Sequence, residues 1–185
     1  MSNLLKGINL YLIGMMGVGK TTVGNLLARQ LKYRFLDTDS LLETATGKTI
    51  NEIFTTEGET TFRQLESDIL AQVCAYKNLC IATGGGIILR RENWSYLRHG
   101  LVVWLDAPVE VICQRLAEDT TRPLLQDSHL EEKLRSLLEE RQGLYKQADL
   151  QITITGDETP DAIATRIIAT IPAVLKQQNN PVEYN

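Results

Sequence analysis

The stretch Ile8-Asn9-Leu10-Tyr11-Leu12-Ile13-Gly14-Met15-Met16-Gly17-Val18-Gly19-Lys20-Thr21 decides the fold. The apolar run from Ile8 to Ile13 is a strand candidate. Gly14 to Thr21 fit the pattern G-x-x-x-x-G-K-[ST]. From Lys20 to Lys32, apolar residues recur at Val23, Leu26, Leu27 and Leu31, which is helical spacing. Strand, glycine-rich turn and helix in that order build a cradle for phosphate. Glycines let backbone N–H groups turn inward without side-chain clash. The helix aims the positive end of its dipole at the same anion. Lys20 can reach the β- and γ-phosphates, and the Thr21 hydroxyl can ligate Mg²⁺. The motif implies ATP or GTP with magnesium. By itself it does not choose among ATPases, GTPases, small-molecule kinases and motors.

Outward from this loop, short apolar runs alternate with helical patterns. Further strand candidates are Arg34–Leu36, Leu79–Ala82, Leu101–Leu105 and Leu150–Ile154. Leu101–Leu105 is apolar at every position, which fits a strand covered on both faces. Helical spacing marks Thr60–Tyr76, Glu92–Arg98, Pro108–Glu118, Leu130–Ala148 and Thr159–Leu175. The alternation implies parallel strands and right-handed crossovers. The expected architecture is a three-layer α/β domain with a five-stranded sheet, and a polar tail over 177–185.

Composition narrows the function classes. The chain has 185 residues, 43% apolar and 23% charged, so it can bury a core without disulfides or metal. A net charge of −4 argues against a general nucleic-acid binder. More than half of the basic residues are Arg, the side chain that best grips planar oxyanions. Cys74, Cys80 and Cys113 form no CxxC pair and read as small hydrophobes in a reducing compartment. Neither a signal peptide nor a membrane span is legible, so a cytoplasmic protein is expected.

Beyond the loop, four stretches carry candidate chemistry. Asp37-Thr38-Asp39 follows the second strand, where residues i and i+2 point the same way. One carboxylate could serve magnesium through water and the other an acceptor hydroxyl. Asp39 as the N-cap of a following helix is the alternative. Within Gly58-Glu59-Thr60-Thr61-Phe62-Arg63-Gln64-Leu65-Glu66, Arg63 and Glu66 can pair on one helix face. Either they form a surface ion pair, or Glu66 aims the guanidinium at an anion. Thr83-Gly84-Gly85-Gly86 exposes backbone N–H groups at a sheet edge. Arg122 lies in a loop that could close over phosphates. By spacing alone, Arg141 and Tyr145 are ordinary helix-surface residues.

The ordered set GxxGxGKT, DTD, GExxFRxxE, GGG, RPLL and RxxLYxxxA resembles the shikimate kinase family over about residues 8–160. The resemblance implies a P-loop kinase domain over 1–176 with strand order 2-3-1-4-5. It also implies an acceptor-binding region at about 38–70 and a mobile lid at about 118–128. The implied reaction is Mg²⁺-dependent transfer of the ATP γ-phosphate to the 3-hydroxyl of shikimate, in chorismate and aromatic amino acid biosynthesis. The implied ATP site comprises Gly14, Gly17, Val18, Gly19, Lys20, Thr21 and Thr22, with Arg115 and Pro160 flanking adenine. The implied catalytic residues are Asp39, Lys20 and the lid residue Arg122. Asp39, Phe54, Phe62, Arg63, Gly84, Gly85, Gly86 and Arg141 would bind shikimate. Thr21, and Asp37 through water, would hold the metal. A monomer without a nucleic-acid or membrane partner is implied as well.

Overall fold

The computed structural model describes residues 4–118 and 129–178. The strands are β1 (Leu10–Ile13), β2 (Arg34–Asp37), β3 (Leu79–Ala82), β4 (Leu101–Asp106) and β5 (Leu150–Thr153). They form one parallel sheet in the order β2-β3-β1-β4-β5. This is the order that the resemblance implies. Every residue of β1 and β3 is buried. Successive strand residues point to opposite faces, so both faces of the sheet centre are covered. β4 behaves as its unbroken apolar run requires: Leu101 to Leu105 are buried, and Trp104 is among the largest fully buried side chains.

Helix α1 (Lys20–Leu31) follows β1, and α2 (Thr38–Thr46) follows β2. The Asp37 carboxylate caps α2 by accepting from the backbone N–H groups of Asp39 and Ser40. The cap is therefore Asp37 and not Asp39, because the helix begins two residues earlier than its apolar pattern suggests. α3 (Ile50–Cys74) also begins earlier than expected. Its start carries a capping box, in which Thr49 and Glu52 satisfy each other's backbone N–H groups. At Gly58 the chain takes φ 81° and ψ 169°, so α3 is two helical pieces joined at a kink. The part after the kink is the helix read from Thr60 onward.

A 3-10 turn (Ile87–Leu89) and α4 (Arg91–Leu97) follow β3, and α5 (Val109–Glu118) follows β4. α6 (Leu130–Tyr145) leads into β5, and α7 (Pro160–Gln178) packs on α1. The lid region with Arg122, and the tail from 179, lie outside the described residues. No helix among the described residues is long and apolar enough to cross a membrane. Of the three cysteines, Cys80 is buried, and Cys74 and Cys113 are partly buried.

Candidate active site

The turn after β1 is shaped by positive φ at Gly14 (145°), Gly17 (74°) and Gly19 (99°). A side chain at Gly14 would also collide with the Leu105 carbonyl, 2.5 Å from the position of a Cβ. Gly19 precedes α1, whose first turn has neither a side-chain cap nor an acidic residue. Its N–H groups therefore face the loop, which is the arrangement that binds anions. Lys20 is buried, and its Nζ donates to the carbonyls of Gly14 and Met15, both at 2.8 Å. The ammonium thus lies across the cradle. Val18 is buried, its carbonyl accepting from Arg115 Nη1 at 2.8 Å, while Thr21 and Thr22 are exposed. The Thr21 hydroxyl donates to Asp37 Oδ2 at 2.7 Å. A hydroxyl and a carboxylate, side by side at the head of a phosphate loop, are hard oxygen donors and fit Mg²⁺.

Glycines 84–86 lie between this loop and a second cluster of charge. A Cβ on Gly85 would stand 3.5 Å from the Met16 nitrogen. A Cβ on Gly84 would meet Glu66 Oε1 at 2.5 Å and Asp39 Oδ1 at 2.7 Å. On Gly86 it would meet Arg63 Cζ at 2.5 Å. Two carboxylates and a guanidinium therefore lie directly over the turn, where only glycine leaves room for them. Thr38, buried within Asp37-Thr38-Asp39, accepts from the Gly84 N–H at 3.0 Å and locks the two segments together.

Arg63 is held on two sides. Its Nη1 donates to Glu66 at 2.6 Å and its Nη2 to Glu59 at 3.1 Å. The guanidinium carbon lies 5.1 Å from the Phe62 ring centre and 5.9 Å from that of Phe54. Glu66 is only 2% exposed, so this is no surface ion pair. Burial pushes the Glu66 carboxyl above its ordinary value, and Arg63 pulls it only part of the way back. Asp39 and Arg141 both act on Glu66 electrostatically, which puts all four charges in one locality. Arg141 Nη1 reaches the Gly85 carbonyl at 3.5 Å. Tyr145, read as surface, is fully buried, and its hydroxyl donates to the same carbonyl at 3.0 Å.

Most of the expected site residues therefore converge. Phe62 is buried and Phe54 half-exposed, the two rings 4.4 Å apart, so both border Arg63. Arg115 reaches the phosphate loop. Pro160 is exposed at the start of α7, and the β5–α7 connection lies against α5, where Gly156 faces Val111. From sequence alone Thr38 and Glu59 carry no role, and Tyr145 reads as an ordinary helix-surface residue. The Glu59–Arg63 contact was open to the i,i+4 rule. Thr38 and Tyr145 had no local signal, because their partners lie in a distant segment.

A phosphate loop after β1, strand order 2-3-1-4-5 and a cluster of charged side chains beside the loop define a P-loop small-molecule kinase fold. A model described as shikimate kinase matches residues 16–172. Shikimate kinase from Nostoc punctiforme is 68% identical over 178 residues, covering 96% of this chain and 98% of its own. A structure of shikimate kinase from Acinetobacter baumannii in complex with shikimate is 41% identical, with a TM-score of 0.84 over 96% of this chain and 98% of its own. That of the Aquifex aeolicus enzyme is 32% identical, with a TM-score of 0.77 over 94% and 100%. The chain belongs to the shikimate kinase family.

Proposed function

We propose that this chain transfers the γ-phosphoryl group of ATP to the 3-hydroxyl of shikimate, giving shikimate 3-phosphate and ADP. One observation carries the reading: a buried carboxylate–guanidinium cluster sits one glycine turn from a phosphate loop. Such a pocket suits a small anionic polyol. Arg63 and Arg141 would clamp the substrate carboxylate, since guanidinium presents a planar fork to it. Gly84, Gly85 and Gly86 would let the ring approach the backbone, with Phe54 and Phe62 as apolar walls. Asp39 would orient the acceptor hydroxyl and take its proton as that oxygen bonds to the γ-phosphorus. The bond between the γ-phosphorus and the bridging oxygen breaks, and ADP leaves.

Gly14, Gly17, Val18, Gly19, Lys20, Thr21 and Thr22 would bind the triphosphate, and Arg115 and Pro160 the adenine. Lys20 would exchange its carbonyl partners for phosphate oxygens and neutralise charge on the transferring group. Thr21 and Asp37 would hold Mg²⁺, whose role is to shield the phosphates. Arg122 on a lid over about 118–128 is assigned on the sequence resemblance. So is a kinase domain over 1–176 with its acceptor region at about 38–70. The protein would act as a monomer in the cytoplasm, where its free cysteines stay reduced.

The test is a coupled ADP-release assay with ATP and Mg²⁺, with and without shikimate, and with quinate and gluconate as controls. Release strictly dependent on shikimate is expected. Equal release with gluconate, or none with any acceptor despite ATP binding, would overturn the proposal.

A further inference from the structure

The helix that carries Arg141 is largely exposed. Of the residues in α6, only Leu134 and Tyr145 are buried. They lie near opposite ends of the helix; beside Arg141 only the partly buried Leu137, Leu138 and Leu144 also touch the core, and Tyr145, one helical turn further on, is the fully buried contact. Tyr145 is anchored twice. Its ring stacks on Trp104 of β4, with centres 5.5 Å apart and planes at 13°. Its hydroxyl donates to the Gly85 carbonyl, the same oxygen that Arg141 approaches. The ring thus ties α6 to the sheet, and the hydroxyl ties it to the glycine turn.

From this geometry we infer that Tyr145 is a positioning residue: its hydroxyl sets the register between Arg141 and Gly84–Gly86. The inference rests on the shikimate kinase reading above. Phe would supply the same stacking, so packing does not explain the hydroxyl. A buried hydroxyl is costly unless it is bonded, and this one is bonded to the turn that lines the acceptor site. Burial pushes the phenol up to about 12, so it stays a neutral donor throughout the working pH range. Arg141 donates to Gly85 over a long 3.5 Å and does not hold the turn alone. Without the hydroxyl, the end of α6 keeps its stacking but loses its alignment, and the clamp opens on one side.

The test is Tyr145→Phe, assayed for shikimate-dependent ADP release beside the wild type. The KM for shikimate is expected to rise about five- to tenfold, the scale of one neutral hydrogen bond. kcat should hold, because the clamp grips the substrate and the transition state alike. The KM for ATP should hold too, although the hydroxyl also lies 3.7 Å from Met15 Sδ in the phosphate loop. In an Arg141→Ala background, Tyr145→Phe should add nothing further, since the hydroxyl acts through Arg141. An unchanged shikimate KM, an equal rise in both KM values, or additive effects with Arg141→Ala would overturn the inference. Should Tyr145→Phe prove unfolded by thermal melt, 3-fluorotyrosine at this position keeps the ring and alters the donor. A shift in shikimate KM alone then supports the inference, and no shift refutes it. Failure of the parent reading looks different: the wild type itself would show no shikimate dependence.

Discussion

Gly86→Ala tests the acceptor pocket with the smallest possible perturbation. Gly86 has φ −99° and ψ 3°, the negative-φ geometry of the third residue of a type I turn, which is open to alanine. Any effect therefore comes from the added methyl group. That carbon would stand 2.5 Å from Arg63 Cζ and 2.7 Å from Nη2, whereas ordinary contact begins near 3.4 Å. Nη1, the atom bonded to Glu66, would be nearer still, so the guanidinium must retreat by more than about 0.9 Å, the gap between 3.4 and 2.5 Å for Cζ. Its bond to Glu66 is 2.6 Å long, so such a shift carries it out of hydrogen-bond range. Glu66 is too deeply buried for water to replace Arg63. A hydrogen bond to a charged group contributes about 1.5–3 kcal/mol. At about 1.4 kcal/mol per decade, losing an aligned Arg63 should raise the KM for shikimate roughly 10- to 100-fold.

Nucleotide affinity should not move, because Gly86 faces Arg63, while its neighbour Gly85 faces the loop. Stability should fall by only about 1–3 kcal/mol, since the stranded Glu66 can take up a proton. Steady-state kinetics, ATP titration and a thermal melt on one preparation read all three quantities. A folded Gly86→Ala protein with a shikimate KM within about twofold of wild type would refute the placement of Arg63 in the acceptor site.

Three other expectations follow from the same geometry. Lys20→Met should leave the fold intact and nearly abolish turnover, read as ADP release; a retained wild-type rate contradicts its phosphate role. Gly143→Ala lies on the exposed face of α6 with nothing within 4 Å of the new carbon. It should stabilise the protein by about 0.5–1 kcal/mol in urea unfolding, with kinetics unchanged. Glu66 gives a pH signature, because its carboxyl protonates above the ordinary 4.5. On acidification from neutrality, Glu66 should release Arg63 before ordinary carboxylates titrate, so the shikimate KM climbs while pH is still above 4.5. The folded state binds this proton more tightly than the unfolded one. Glu66's own stability contribution is therefore full below 4.5 and declines as pH rises through its raised value. Glu66→Gln should flatten both limbs, and a pH profile that keeps them assigns the titration to another group.

What could be read from sequence divides along a physical line. The phosphate cradle is one contiguous segment, and its backbone geometry demands glycine at fixed positions, so the residues announce it. β4 announces itself because a strand covered on both faces must be apolar throughout. Glu66 does not. Spacing shows that it can meet Arg63, but its burial depends on which face of α3 meets the glycine turn. Tyr145 is harder still, being the one buried residue of the polar C-terminal half of α6, with its stacking partner in β4. The start of α3 is marked by Thr49 and Glu52, a capping-box pair that lies outside the helical spacing read from Thr60 onward.

The strand order explains why scattered motifs make one site. Asp37 ends β2, Thr83 and the glycines follow β3, and the phosphate loop follows β1. In space these strands run β2, β3, β1. Parallel neighbours are about 4.8 Å apart, so the three carboxyl ends fall in a row about 10 Å long. The glycine turn must then lie between the Asp37-Thr38-Asp39 segment and the loop. It does: Gly84 lies against Asp39, and Gly85 lies against Met16. A side chain in the middle of that row would separate an acceptor from a phosphate, and glycine there keeps them within reach of each other. The triple glycine is thus required by topology as much as by the ligand. Each motif was readable in its own segment, and what joins them is the crossover order that the parallel sheet imposes.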